Sequence, residues 1–242
     1  MLANITLQED TLQSIKEHLL ANWPNEAGGF VLENGEFVPC ENIHESPAEH
    51  FKFSAIDFAT YYEKAAILIH SHCFNRRKVM LQDPRTPSYK DFVSQKRTKI
   101  PWLIFATDGT DVSDPVQLPR IPHSNYTERQ FMWFINDCYT IVQDWYLHER
   151  SIALPDYVEK DVTEVTQLRE IFLDALVKAN FVEINLQDIA DGDLLLMDNQ
   201  GLCESHLGIF ANGKVLHQSD LSECVSFENF GNRVKRVYRY AG

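Results

Sequence analysis

The sequence lacks the patterns that mark disulfide-rich, zinc-ribbon and membrane proteins. Its five cysteines are an odd number, lie far apart and include no Cys-x-x-Cys pair. This spacing argues against a disulfide framework and against a site of four thiolates, so we expect reduced thiols. The N-terminus has no basic start followed by an apolar run, and no stretch is apolar for long enough to cross a bilayer. We therefore predict a soluble protein with no signal peptide and no membrane span.

Positive charge is also scarce. Lys and Arg total 22 against 35 Asp and Glu, which gives a formal net charge of −13. Because an acidic chain repels phosphate backbones, we expect no nucleic-acid partner. Hydrophobic residues make up 44% of the chain and aromatic residues 12%, which indicates a folded protein. Its length suffices for one large domain or for two domains of roughly 110 residues each.

A proline-rich segment divides the chain almost in half. Prolines this dense leave few hydrogen-bond donors for a helix or a sheet, so residues 113–125 are predicted to form an extended linker. The prolines concerned are Pro115, Pro119 and Pro122. The predicted domains are then residues 1–112 and residues 126–242.

Helical and strand periodicities occur in both halves, which predicts a mixed α+β protein. The predicted helices are Leu12–Leu20, Ala55–Lys64, Pro87–Gln95, Asn136–Arg150 and Glu164–Asn180. The predicted strands are two short ones within Gly29–Val38, then Ala65–His72, Trp102–Thr107, Gly192–Met197, His206–Ala211 and Lys214–Gln218. Asn34-Gly35 is a strong hairpin signal between the first two strands.

Two histidines close a predicted buried strand in the first half. Strand residues two apart point to the same face, so the imidazoles of His70 and His72 can reach one ion. Imidazole suits zinc, and a catalytic zinc uses three protein ligands plus an open position. Asp91 is a candidate for the third ligand. Glu26 is a candidate base that would take a proton from bound water.

Each of these patterns also has a simpler explanation. A His-x-His sequence alone is weak evidence of a metal site. Ser88 and Asp91 share one face of a predicted helix, and on their own they are best explained as a capping box. Glu26 on its own would be an ordinary surface carboxylate. The order in which the residues occur is what favours a common site.

That order, Glu then His-Ser-His then Ser-x-x-Asp, resembles the JAMM (MPN-plus) metallopeptidase family over residues 1–112. The resemblance implies a JAMM-like α/β domain with a mixed sheet and with bound Zn²⁺. By that resemblance the zinc ligands are His70, His72 and Asp91, the general acid/base is Glu26, and Ser88 helps to stabilise the oxyanion.

This half departs from the family pattern at two points. The proline that follows the second histidine in the family is Cys73 here. The loop from His72 to Ser88 is longer than usual by about one and a half helical turns in residue count. The extra residues could cover the site or displace Asp91.

A cysteine stands at a predicted helix start in the second half. The partial positive charge of a helix N-terminus and its unpaired N–H groups favour a thiolate at Cys138. His206 opens a strand, and a hairpin through Asn212-Gly213 would place His217 beside it. Together they predict a nucleophile, a base and an orienting residue. A buried cysteine is otherwise usually inert, and nine histidines will produce chance pairs.

Asp-Cys at a helix start, then Gly-Asp-Leu and His-x-Gly-Ile, resembles the NlpC/P60 family over residues 126–242. The resemblance implies a papain-like domain with an antiparallel sheet. By that resemblance Cys138 is the nucleophile, His206 the base, His217 the third polar residue and Tyr126 a candidate for the oxyanion site. One departure is that residues 134–136 replace a small Gly-rich segment usual in the family.

Together and in this order, the two motif sets resemble the tail assembly protein K family of long-tailed bacteriophages. The resemblance implies a tail-tip or tail-assembly protein that cleaves peptide cross-links in host peptidoglycan and contacts other phage tail-tip proteins. It would reside in the virion tail tip, or in the host cytoplasm during assembly, and act in the periplasm or cell wall. The alternative is a catalytically silent structural component of the tail tip.

Overall fold

We describe the protein from a computed structural model, which covers residues 3–76, 82–156, 165–198 and 204–242. The chain divides into two compact units, Met1–Ile121 and Pro122–Gly242. Among the residues described, no helix has both the length and the apolar character needed to cross a membrane.

The N-terminal unit is built around a five-stranded sheet. In chain order its elements are α1 (Glu9–Asn22), β1 (Gly28–Leu32), β2 (Phe37–Cys40), α2 (Ala55–Tyr61), β3 (Ala65–Cys73), α3 (Tyr89–Thr98), β4 (Trp102–Thr107) and β5 (Val116–Leu118). The strand order is β2-β1-β3-β4-β5. Because β3 and β4 are parallel and the other neighbours antiparallel, the predicted mixed sheet is confirmed.

The edge strand β5 lies inside the segment that the sequence predicts to be a linker. It pairs antiparallel with β4, with Trp102 opposite Leu118 and Ile104 opposite Val116. Proline is tolerated at the end of an edge strand, so Pro119 ends the pairing without preventing it. Residues 116–118 therefore belong to the first sheet, and the linker prediction is wrong for them.

The alternation of side chains along β3 gives its two faces different roles. Ile69 points to the side where Ile15 and Leu19 of α1 pack, and all three are fully buried. His70 and His72 point to the opposite side, because neighbouring strand residues alternate between faces. Packing against α1 thus sets which face presents the histidines.

The C-terminal unit is built around a six-stranded antiparallel sheet. In chain order its elements are α4 (Cys138–Arg150), α5 (Val165–Lys178), β6 (Phe181–Ile184), β7 (Leu194–Asp198), β8 (Glu204–Ala211), β9 (Lys214–Gln218), β10 (Ser222–Ser226), α6 (Phe227–Phe230) and β11 (Val234–Tyr240). The strand order is β10-β9-β8-β7-β11-β6. The predicted antiparallel sheet and mixed α+β class are confirmed. Glu164, the predicted first residue of α5, lies outside the described residues.

Helix α4 is buried along most of its length and packs on β8 and β9. A buried ion pair holds its middle, with Arg129 Nη1 donating to Asp144 Oδ2 at 2.7 Å. The same guanidinium donates to the backbone carbonyls of Asn125 and His123. The segment before the helix is therefore tied to α4 itself, which fixes the helix that begins at Cys138.

Candidate active sites

The two strand histidines meet the predicted helix carboxylate in the N-terminal unit. His70 Nε2 lies 3.6 Å from Asp91 Oδ1, and His72 Nε2 lies 3.3 Å from Asp91 Oδ2. Each imidazole thus faces its own oxygen of the same carboxylate. The long loop before α3 has not displaced Asp91, although residues 77–81 of that loop lie outside the described residues.

Asp91 also belongs to a capping box, so both interpretations of Ser88-x-x-Asp91 apply. Ser88 is the N-cap of α3, and its Oγ accepts the Asp91 N–H at 3.1 Å. In return, Asp91 Oδ2 accepts the Ser88 N–H at 2.7 Å. A capping box fixes the rotamer of its N3 side chain. Here that rotamer is the one that faces the histidines.

A backbone carbonyl sets the tautomer of His72. Its Nδ1 lies 2.9 Å from the carbonyl oxygen of Pro84, which can only accept a hydrogen bond. Nδ1 therefore carries a proton, and Nε2 faces Asp91 Oδ2 at 3.3 Å. Imidazoles that bind metals characteristically donate their other N–H to such a partner. The ring of His70 is buried, and its Nδ1 has no hydrogen-bond partner among the residues described.

Glu26 is buried beside the histidines, with Oε2 3.9 Å from His70 Nε2. Burial raises the pKa of its carboxyl to about 7, and this rise is opposed by His72 and reinforced by Asp91. Its backbone is held in place, since the Glu26 N–H donates to the Pro47 carbonyl at 2.7 Å. The simpler interpretation of Glu26 as a surface carboxylate is therefore wrong.

Ser71, the middle residue of His-Ser-His, positions Glu26 from the other face of β3. Its hydroxyl accepts the Ala27 N–H at 2.9 Å and donates to the Ala27 carbonyl at 3.1 Å. Cys73 adds a further tie, because its Sγ donates to the Asn25 carbonyl at 3.1 Å. The sequence patterns named neither function, although both residues stand inside or beside the histidine motif.

The donor atoms of this cluster can hold a metal ion. Glu26, His70 and His72 each offer a ligand atom, and these atoms lie within 4.8 Å of one another. Asp91, the predicted third ligand, also reaches both histidines, at 3.6 Å from His70 and 3.3 Å from His72, through a different oxygen for each. Bonds of about 2.0–2.1 Å in a tetrahedron keep ligands roughly 3.3–3.4 Å apart.

Gly28→Ala is expected to destabilise the N-terminal unit. Gly28 pairs with His70, and an added Cβ would lie 2.3 Å from the Ile69 carbonyl oxygen. Relieving that overlap must move β1 away from β3, at a cost of about 1–3 kcal/mol. Urea unfolding of the full chain, followed by tryptophan fluorescence, measures the loss. An unchanged midpoint would show that the two strands separate there without cost.

In the C-terminal unit, Cys138 is the first residue of α4. The N-cap is Asp137, whose carboxylate accepts the N–H groups of Tyr139 and Thr140 at 3.0 and 2.9 Å. Thr140 Oγ1 completes a capping box by accepting the Asp137 N–H at 2.7 Å. The helix thus begins two residues later than the predicted Asn136, because Asp137 caps it.

The segment before Asp137 keeps a turn of the kind that glycine favours. Phe134 has a φ of 65°, in the left-handed region that side chains other than glycine rarely adopt. Its N–H donates to Asp137 Oδ2 at 2.9 Å, which joins the turn to the helix cap. Residues 134–136 therefore differ from the Gly-rich pattern in their side chains, while the backbone at Phe134 has a conformation typical of glycine.

The predicted hairpin brings the two histidines together. Asn212 and Gly213 both have positive φ, and β8 and β9 pair with Gly208 opposite His217. His206 Nε2 lies 3.1 Å from His217 Nδ1, and both rings are buried. The sequence did not indicate Glu223 of β10, whose Oε1 lies 3.3 Å from His217 Nε2.

The Cys138 sulfur lies against β8 beside His206. The backbone N–H of Leu207, the residue after His206, donates to this sulfur. Burial raises the pKa of the Cys138 thiol to about 12 and lowers that of His206 to about 3. Burial therefore opposes the thiolate that the helix start favours. Among the described residues, no hydrogen bond joins the sulfur to the imidazole.

Tyr126 does not lie where an oxyanion site would be. Its hydroxyl donates to Glu149 Oε1 at 2.9 Å, near the C-terminal end of α4. Glu149 is eleven residues after Cys138 along the helix, a distance of about 16 Å at 1.5 Å per residue. The Tyr126 prediction is therefore wrong, because its partner fixes it at the opposite end of α4.

The Gly-Asp-Leu motif has a structural function. Gly192 has a φ of +98°, and its carbonyl accepts the hydroxyl of Tyr146 at 2.5 Å. The two carboxylate oxygens of Asp193 accept from Arg239 at 2.9 and 2.7 Å. The motif therefore joins β7 to α4 and β11 and supplies no reacting group.

The comparison with protein families agrees with this architecture. The model of the NlpC/P60 family matches residues 126–239. Residues 126–239 therefore form a domain that matches the NlpC/P60 family, a family of cysteine peptidases and amidases that act on cell-wall peptides. No curated protein matches the chain.

Proposed function

We propose that the C-terminal domain hydrolyses peptide bonds in peptidoglycan, with Cys138 as nucleophile, His206 as base and His217 as the orienting residue. The junction of α4 and β8 carries this proposal, because there the cysteine sulfur receives the N–H group next to the base. His217 engages Nε2 of His206 at 3.1 Å, which leaves Nδ1 for the thiol. This is the division of ring nitrogens that a Cys–His pair needs.

The proposed reaction begins with transfer of the thiol proton. As sulfur attacks the carbonyl carbon of the peptide, Cys138 transfers its proton to His206. A carbon–sulfur bond forms, the carbon–nitrogen bond breaks, and His206 gives its proton to the departing amine. Water then attacks the thioester carbon while His206 takes a proton from it. The carbon–sulfur bond breaks, and that proton restores the thiol.

The test of this function uses the full-length protein and purified peptidoglycan fragments, with new amino termini followed by mass spectrometry. We expect cleavage that iodoacetamide blocks and that EDTA does not. Cleavage sensitive to EDTA but resistant to iodoacetamide would assign the hydrolysis to the N-terminal unit. Absence of cleavage by folded protein would contradict the proposal and favour a structural function.

We also propose that the N-terminal unit is a zinc peptidase or isopeptidase whose ligands are His70, His72 and Asp91. The spacing of their donor atoms and the hydrogen bond from His72 Nδ1 to the Pro84 carbonyl support this. A zinc ion bound there would supply Lewis acidity towards a peptide carbonyl. Glu26, buried 3.9 Å from His70, would accept and return the proton, and the Ser88 hydroxyl would stabilise the oxyanion.

We further propose that the protein acts in the tail tip of a bacteriophage, or during tail assembly, on the host cell wall. The motif order described above supports this setting. The second candidate is a silent structural component of the tail tip, and the burial of Cys138 favours it. Phage infectivity distinguishes the two, because only a structural function predicts that replacing Cys138 leaves infectivity unchanged.

A further inference from the structure

Three side chains form a row across β8, β9 and β10. His217 stands opposite Gly208 in β8 and opposite Glu223 in β10. His206 is two residues before Gly208, so it shares a sheet face with His217 and Glu223. The two gaps in the row are 3.1 Å, from His206 Nε2 to His217 Nδ1, and 3.3 Å, from His217 Nε2 to Glu223 Oε1.

The His217 ring, in the middle of this row, is buried, and the Glu223 carboxylate can accept a hydrogen bond from its Nε2. His217 is 2% exposed, and its Nε2 forms no complete hydrogen bond among the described residues. A buried N–H without an acceptor costs about 1–3 kcal/mol. Glu223 is about half exposed, and a small rotation of its carboxylate would complete the bond. Phe230 packs 4.6 Å from the His217 ring and restricts its plane.

The carboxylate determines which nitrogens of both histidines carry protons. An ionised carboxylate can only accept, so His217 must present Nε2–H to Glu223. Nδ1 of His217 then has a lone pair and accepts from Nε2–H of His206. Nδ1 of His206 is left unprotonated, and this is the nitrogen that must receive the proton of Cys138.

We propose that Glu223 is a positioning residue that sets the tautomers of His217 and His206 for proton transfer from Cys138. The inference rests on the proposed cysteine-hydrolase function. Glu223 acts through His217 and touches neither the nucleophile nor the substrate. Hydrogen-bond partners that orient metal-bound histidines contribute 10–100-fold, and we expect a similar factor for a partner that orients this catalytic pair. Glu223→Ala should therefore lower kcat about 10–100-fold and leave KM within about twofold.

The test combines kinetics with long-range ¹H–¹⁵N correlation spectra of the full-length protein, which identify the protonated nitrogen of each ring. Wild type should show Nε2–H at both His206 and His217. Glu223→Gln can donate as well as accept, so it should populate the Nδ1–H form at both rings. The matched control is Glu228→Gln, which removes the same charge from an exposed side chain nearby. It should change neither the spectra nor kcat.

The two measurements separate this proposal from the proposed function. Unchanged tautomers together with unchanged kcat in Glu223→Gln would overturn the positioning proposal, whatever the substrate is. If Glu223→Ala does not fold, Glu223→Gln alone decides, because its side chain has the same size. If Glu223→Gln alters the tautomers and the wild-type protein cleaves no peptidoglycan, the positioning proposal is supported and the hydrolase function is contradicted.

Discussion

Cys138→Ala is expected to abolish cleavage of peptidoglycan peptides, with kcat falling by at least about 10⁴-fold. The sulfur is the only atom of the side chain that can form the covalent intermediate. Removing it should leave binding intact, so KM should change little where residual turnover can be measured. Because Cys138 is buried and alanine is smaller, the new side chain should fit its position. Rates of product formation measured by mass spectrometry give the comparison.

The matched control for this prediction is Cys224→Ala. Cys224 is an exposed thiol in the same unit, on β10, so its removal should leave kcat unchanged. Equal loss in both variants would show that the effect is not specific to the nucleophile position. Full activity of a folded Cys138→Ala variant would eliminate the nucleophile assignment and with it the proposed mechanism.

Asp91→Asn is expected to lose zinc binding without losing the fold. The amide retains one oxygen that can accept the Ser88 N–H, so the helix cap can persist. It removes the negative charge and one of the two oxygens that face His70 and His72. Even hydrogen-bond partners of metal ligands contribute 10–100-fold, so losing a ligand should weaken affinity by more than about 100-fold. Competition with a chromogenic chelator measures this affinity.

Ser88→Ala provides the complementary variant. It removes the acceptor of the α3 cap, which should cost about 1 kcal/mol of stability, while the three proposed zinc ligands remain. Thermal unfolding with and without zinc separates the two effects, because a bound ion stabilises only a protein that binds it. If Asp91→Asn kept wild-type affinity, Glu26 would have to be the third ligand.

The elements that the sequence predicts best are those with an uninterrupted apolar pattern. Strands β3 and β4 and the β8–β9 hairpin follow the predicted bounds closely, because their buried residues alternate or run together. Strand β11 was missed, since Lys235 and Arg236 interrupt its pattern. Those side chains pair with Asp198 and with Glu183 and Glu204 across the sheet. Such pairing depends on strand order, which local periodicity does not contain.

In the candidate sites too, the sequence predicts the relations between residues that are close in the chain and misses the contacts between distant ones. Spacing alone places His70 beside His72, and a two-residue turn places His206 beside His217, because both relations are local. The carbonyl of Pro84, the N–H of Leu207 and the carboxylate of Glu223 were not predicted. Backbone groups carry no residue-type signal, and an exposed glutamate on a strand looks like any solvated side chain. Tyr126 was misplaced because sequence order says nothing about which end of α4 it reaches.

The turn between β8 and β9 has a practical consequence for labelling the protein. An extra residue within β9 would rotate His217 to the opposite face of the sheet, since strand side chains alternate. The tip has free space around it, because a Cβ added at Gly213 would meet no atom within 4 Å, and only its φ of +73° disfavours residues other than glycine there. A fluorophore or a short affinity tag grafted at the tip would therefore report on the C-terminal domain without entering its histidine row. The same graft two residues further along, inside β9, would displace His217 and abolish the proposed activity.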